Sequence, residues 1–281
     1  MYRRAYPRGG RSGGCARLGI AAIILVIGLV SFLASKEYNP ITDEEQYVSL
    51  TPRQEIALGL EATPQMIQQF GGLYPDQQLQ AYVDEVGQRV VQRSQAGQTE
   101  YQFEFNLLAD PETINAFALP GGPVFITQAL FERLQTEGQL AGVLGHEVGH
   151  VVARHSAQQI AKSELTNTAI GAVVIAVSDP EHPQSGAVAA QVAALVGQLV
   201  NMKYGRDDEL QSDQLGVRFM ADAGYDPRAM LQVMQILAEA SGGQGPPEFF
   251  STHPNPENRL QQIEAAIQAE FPNGVPEGLQ P

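Results

Sequence analysis

LAGVLGHEVGHVVARH, residues 140–155, holds three of the five histidines of a 281-residue chain, and its reading decides the rest. Thr136 and Gln139 form a capping-box pattern ahead of the apolar positions Leu140, Val143 and Leu144, which predicts a helix starting there. On a helix, residues four apart lie about 40° apart in azimuth and one turn up, so His146 and His150 present two imidazoles to one ion. Glu147 lies about 100° further round. From there a carboxylate reaches a water on that ion without binding the ion, the arrangement a general base needs. Gly145 and Gly149 are poor helix formers, and their presence beside the histidines points to another element packing closely. Arg154 and His155 read as ordinary helix-end residues. Two histidines and a glutamate at this spacing arise by chance on the order of 1% of the time, so context has to decide.

A catalytic zinc takes three protein ligands and keeps a fourth position for water. Cys15 is the only cysteine, so any metal is held by histidine and carboxylate, and the body has no disulfide. His155 is misplaced on the same helix and His182 sits in the turn-like DPEHPQ, residues 179–184. The stretch KYGRDDELQSDQLGVRFMADAGYDP, residues 203–227, supplies several acids on a helix, with Glu209 and Asp213 one turn apart. One of the two could bind a metal while the other accepts the second N–H of a ligating histidine. Spacing alone does not rank them, and a solvated acidic face fits the same pattern.

Elsewhere the chain reads as a small α+β protein, mostly α. Leu79, Tyr82, Val86 and Val90 carry the period of an amphipathic helix between residues 76 and 94. In YQFEFNLLAD (101–110), Phe103, Phe105 and Leu107 alternate with polar residues, as in a half-buried strand. INAFAL (114–119) and PVFI (123–126) are short strands around the turn Pro120–Gly122, and the three together predict a small antiparallel sheet beside the histidine helix. Two Ala/Val-rich runs follow, residues 168–178 and 186–200. Each is too short to span a bilayer and reads as a helix packed in the core or over the active-site face, in preference to one dipping into a membrane surface. Further helices are expected before Gly224, from Asp226–Pro227 to about Ala240, and after Asn255–Pro256.

The five arginines before residue 18 are the only charges ahead of Lys36, and the remainder carries 12 basic residues against 31 acids. Such an acidic body argues against a nucleic-acid partner, which needs clustered Lys and Arg. Residues 18–35, LGIAAIILVIGLVSFLAS, are uncharged and close to membrane-spanning length. An uncleaved anchor is favoured over a cleaved signal peptide, because the run exceeds the usual signal core and Ala34 offers a poor cleavage site. Cys15 precedes the run, so it is not a lipoprotein cysteine. The arginines place residues 1–17 in the cytoplasm and the body on the far side. The expected layout is anchor 18–35, linker 36–50, catalytic body 51–271 and a disordered tail 272–281.

With these residues in hand the sequence resembles a known family. HEVGH followed by ELQSDQLG resembles the HExxH…ExxxD pattern of the zinc metalloproteases that include the HtpX-type and CAAX prenyl proteases, peptidase family forty-eight. The likeness runs from about Thr51 to about Ala269 and takes in NAFALPGG at the sheet turn and THPNPENR near the end. It implies a gluzincin-like fold and one Zn2+ per chain, with His146, His150 and Glu209 as ligands, Glu147 as catalytic base and Asp213 bonded behind a ligand. The family commonly has alanine before that aspartate, where this chain has Ser212, a mild departure. By spacing alone His253 reads as a surface residue; the resemblance makes it a donor to the reaction's oxyanion, and its Gly/Pro-rich loop also permits a second role as a plug on the zinc. A single span resembles the envelope-facing branch, without the repeat domain some members carry, and nothing suggests a prenyl substrate. The function implied is an anchored endopeptidase for misfolded or misassembled envelope proteins, with substrate extended along the sheet edge at Asn115, Ala116, Phe117 and Ala118. A zinc-stabilised chaperone or assembly factor that does not cut is the alternative. The sequence leaves the oligomeric state open.

Overall fold

A computed structural model describes residues 12–177, 198–199, 202–240, 247–255 and 258–281. The run 186–200 falls almost wholly outside these residues, as does His182. Helix α1 (Ser12–Ala34) leads into a hairpin, β1 (Lys36–Asn39) and β2 (Glu44–Tyr47), then α2 (Pro52–Gln69) and α3 (Gln77–Arg93). Strands β3 (Glu104–Leu108), β4 (Ala116–Ala118) and β5 (Pro123–Thr127) precede the short α4 (Gln128–Phe131) and the histidine-bearing α5 (Glu137–Val152). After α6 (His155–Val177) come α7 (Arg206–Ala223), α8 (Ala229–Ala240), α9 (Glu248–Thr252) and α10 (Arg259–Glu270). The architecture is the expected mostly helical α+β one.

The sheet differs in one pairing. Its order is β3-β5-β4; β4 runs antiparallel to β5, as anticipated, whereas β3 pairs with β5 in parallel. The cause is burial: every residue of β5 is buried, so this strand needs neighbours on both sides. Taking the centre puts it beside β3 and leaves the three-residue β4 at the edge. The turn between β4 and β5 depends on Gly121 (φ 82°) and Gly122 (φ 132°), conformations that a side chain would strain.

α5 is buried along nearly its whole length, sandwiched between α3, α7 and α8. Its start is the predicted one, with Thr136 Oγ1 accepting from Gln139 N, but the Gln139 side chain caps Gln135 N, one residue further back than a capping box requires. Close approach to α7 explains the glycines. A Cβ on Gly149 would stand 3.0 Å from Ser212 O, and one on Gly216 would stand 3.2 Å from His146 N. Ser212 is small enough to keep this contact, so the departure from alanine is accommodated.

Two segments, expected as a linker and as a disordered tail, are ordered parts of the fold. Residues 36–50, read as a linker from their polarity, form the β1–β2 hairpin, which docks on the end of α5 through Asn39 Nδ2 to Val152 O (2.7 Å) and Gln46 Nε2 to Ala153 O (2.9 Å). These amides satisfy carbonyls that a helix terminus leaves open. The tail 272–281, read as disordered, returns to the core. Gln280 exchanges backbone bonds with Gly224 (3.0 Å) and Asp226 (2.8 Å), and Pro281 O accepts from Gly138 N (2.9 Å) in the first turn of α5, where N–H groups lack helical partners.

Candidate metal centre

His146 and His150 lie one turn apart on α5, and their Nε2 atoms approach to 3.1 Å. Glu209, from the first turn of α7, brings Oε2 to 3.5 Å from His146 Nε2 and Oε1 to 3.4 Å from His150 Nε2. All three side chains are buried. Ligands 2.0–2.2 Å from a tetrahedral ion sit roughly 3.4 Å from one another, which is this spacing. Two imidazole nitrogens and a carboxylate converging at such distances, in place of pairing outward, make a donor set that fits a metal ion. A ring nitrogen of His253 joins the same group, the four residues placing donor atoms within 4.8 Å of one another.

The histidines are aimed from behind. Asp213 Oδ1 lies 2.8 Å from His146 Nδ1, placed to hold a proton on that nitrogen and to turn Nε2 toward the other donors. His150 is set differently. Gln211 donates to Glu44 Oε2 (2.8 Å), which fixes its carboxamide so that its oxygen faces His155 Nε2 at 2.9 Å. His155 therefore carries its proton on Nε2, and its bare Nδ1, 2.9 Å from His150 Nδ1, accepts from that nitrogen. His155 is thus a buried orienting residue opening α6, not a helix-end residue. Arg154 differs too: at φ 59° it turns the chain from α5 to α6, buried among Glu55, Glu37 and the Leu50 carbonyl.

Electrostatics separate the members of the site. Burial pushes His150 well below the usual histidine range, whereas at His146 the Asp213 and Glu209 carboxylates outweigh burial and raise it to about 9. Glu209 is held well below the usual carboxylate range, the surrounding histidines, His253 first, overcoming burial; Asp213 is lowered, Arg259 overcoming burial. Glu147 goes the other way: burial raises it, and neither oxygen has a hydrogen-bond partner.

His253 is fully buried, against its surface reading by spacing. Its ring stacks on Phe249 (4.5 Å), with Nδ1 3.1 Å from Glu209 Oε1 and Nε2 3.7 Å from Glu147 Oε1. Asn115 is buried at the start of the edge strand β4, which packs beside α5; Ala116 and Ala118 are buried and Phe117 is half-buried, stacked on Phe125. Two further residues were not singled out by spacing. Arg259 grips Asp213 with Nε and Nη2 (2.7 and 2.9 Å) while Nη1 stands 3.1 Å from Glu209 Oε2. Tyr204 stacks on His150 at 3.9 Å. Arg259 lies in the quoted THPNPENR, so the signal was present; Tyr204 had none.

The chain is similar to known proteases. A beta-barrel assembly-enhancing protease of Escherichia coli K12 is 30% identical over 255 residues, covering 86% of this chain and 49% of the relative. The protein of that name from Yersinia pestis is 32% identical over 234 residues, covering 81% and 47%. The mitochondrial metalloendopeptidase OMA1 of Schizosaccharomyces pombe is 29% identical over 260 residues, covering 87% and 70%. The chain spans about half the length of the bacterial relatives it matches. The sequence model of Peptidase family M48 matches residues 77–267, from the start of α3 into α10 and so across the whole buried His/Glu group, and the chain belongs to that family.

Proposed function

We propose that this chain is a membrane-anchored, zinc-dependent endopeptidase, with one zinc per chain, that cuts misfolded or misassembled cell-envelope proteins. The observation that carries the reading is the convergence of His146, His150 and Glu209 beside a buried, unpartnered Glu147. Two histidines and a glutamate are a ligand set suited to hydrolytic zinc. The relatives' names support peptide-bond hydrolysis, and β-barrel assembly in one of them supports envelope proteins as the substrate class. The 18-residue apolar stretch Arg17–Ala34, 6% buried, supports an anchor, and the arginines ahead of it support a cytoplasmic N-terminus with the body outside.

Bound by the three ligands, zinc supplies Lewis acidity, polarising the scissile carbonyl and lowering the pKa of the attacking water. Glu147 takes the proton from that water and passes it to the leaving amine; its burial raises its proton affinity toward what such a shuttle requires. Asp213 and His155 hold the two imidazoles in their tautomers. His253 donates to the oxyanion, and before substrate arrives its ring lies against Glu209 and latently blocks the open position. Substrate lies extended along Asn115, Ala116, Phe117 and Ala118, because main-chain pairing to an edge strand accepts many sequences.

Casein digestion by the full chain, with and without a chelator and beside Glu147→Gln, tests this. Cleavage lost under both conditions supports it. Stoichiometric zinc with no cleavage by wild type would favour the non-cutting assembly factor.

A further inference from the structure

The anchor helix is covered along one stripe. Leu18, Ile20, Ile23, Leu25, Val26 and Ile27 of α1 are exposed, whereas Ala21, Ile24, Gly28 and Phe32, three or four residues apart, are wholly or partly covered, Ala21 to 6% exposure. What lies along the stripe is α6. A Cβ on Gly28 would stand 2.7 Å from Thr168 Cγ2, so the two backbones approach closely at that level. The helices run antiparallel: Phe32 stacks on Tyr47 of the hairpin, whose partner strand docks on Val152 at the root of α6, while Thr168, further along, meets Gly28.

Helix rise converts this to depth. Gly28 lies about 9 Å and Ala21 about 20 Å from the body-side end of α1 at Ala34. From Thr168 the nine remaining residues of α6 continue about 13 Å past Gly28. No residue from Leu165 to Val177 is charged. The exposed Thr166 hydroxyl is bonded to the Lys162 carbonyl (2.9 Å), so that the hydroxyl can face lipid with its hydrogen bond made within the helix. The chain is back beside Ser163 at Gln198, whose amide donates to Ser163 Oγ (3.0 Å), and Leu199 enters the core with Ile160. Ser163 and Gln198 thus stand at one level of the body.

We infer that α6 is a second membrane-embedded helix: from Leu165 onward it enters the bilayer against the Ala21–Phe32 stripe of α1, with the lipid surface at the level of Ser35 and Glu164. The inference rests on α1 being the anchor. A hydrocarbon core of about 30 Å takes in both covered levels of α1, and a straight helix touching α1 there cannot stay in water. The partner of this face is lipid. Since α6 opens at His155, which touches His150, the metal group is fixed about 13 Å above the lipid surface, nine residues of helix away from Glu164. Polypeptide segments lying at that surface are then the substrates within reach.

The chain contains no tryptophan, so one introduced tryptophan reports alone. The full chain carrying Leu25→Trp, Ala169→Trp or Leu60→Trp is reconstituted into phosphatidylcholine vesicles with and without acyl-brominated lipid. Strong loss of emission for Leu25→Trp and Ala169→Trp, with none for Leu60→Trp on exposed α2, is the expected result. Loss for Leu25→Trp alone would overturn the inference and leave the anchor standing; loss for neither would remove both. Should Ala169→Trp fail to assemble, a nitroxide on Ala169→Cys in a Cys15→Ser background gives the same decision. Faster collision with lipid-soluble oxygen than with a water-soluble nickel chelate is expected, and the reverse would overturn it.

Discussion

Two clusters of buried charge flank the end of α5, and they are built to opposite rules. In one, Arg154 bonds Glu55 (2.8 Å), Glu37 (2.9 Å) and the Leu50 carbonyl (2.6 Å), so each of its nitrogens has an acceptor. In the other, Glu147 is buried with neither oxygen partnered, and two imidazole nitrogens face each other at 3.1 Å. Burying a polar group without a partner costs free energy, so a fold tolerates it where something else compensates. The first cluster closes a corner of the fold; the second leaves donors that could hold a cation and a carboxylate without a partner. Being charged and buried did not separate them. Satisfaction did.

Mutations should separate them as sharply. The largest effect is expected from Glu209→Ala, which removes a proposed ligand and should abolish metal binding and proteolysis together, read by metal analysis of the purified chain; full metal content would swap its role with that of Asp213. Next is Glu147→Gln, which should keep about one metal ion per chain and lose roughly 10²-fold or more in turnover. Because Glu147 has no partner to lose, the thermal midpoint of the metal-free chain should hold or rise. A large fall would put Glu147 with the structural cluster.

His253→Ala should lower kcat by about 10²- to 10³-fold at constant metal content, the worth of one preorganised oxyanion donor. A rise in basal proteolysis would show that plugging is its whole role. Asp213→Ala should weaken metal affinity or activity by about 10- to 100-fold, the usual effect of removing the group behind a ligating histidine.

The corner cluster should answer in stability alone. Arg154→Ala leaves Glu55 buried without its cation and should cost about 3–5 kcal/mol in denaturant unfolding, with metal affinity unchanged. Burial, opposed by Arg154, raises Glu55 to about 7, above its unfolded value. Its contribution is therefore fully present below the unfolded value and fades as pH rises through about 7. Glu55→Gln should remove that part of the pH dependence of the melting temperature, and an unchanged profile would place the titration elsewhere.

Much of the site was legible because its parts are local. Four-residue spacing sets His146 and His150 on one face whatever surrounds them, and Gly145 and Gly149 announced a close neighbour that proved to be α7. The hairpin was hidden in KEYNPITDEEQY because its stability comes from capping α5, not from an apolar pattern of its own. The last ten residues were hidden for the same reason, pairing with Gly224, Asp226 and Gly138 through backbone that any sequence carries. Arg154 and His155 looked like a helix end because a left-handed arginine and a histidine bonded back to a histidine leave no periodic trace.

The sequence by itself determined the helix on which two imidazoles and a carboxylate meet, the acid-rich helix that answers it, the absence of thiolate ligands and the apolar N-terminal helix. Each follows from the period of a helix or from composition, and these act over a few residues. Tertiary structure decided which acid faces the histidines, that Arg259 grips Asp213 from 46 residues away, that His253 is buried against Glu209 from 44, and that α6 runs along α1. Those choices depend on how closely helices approach and on which buried groups find partners, and no local pattern in the chain records either one.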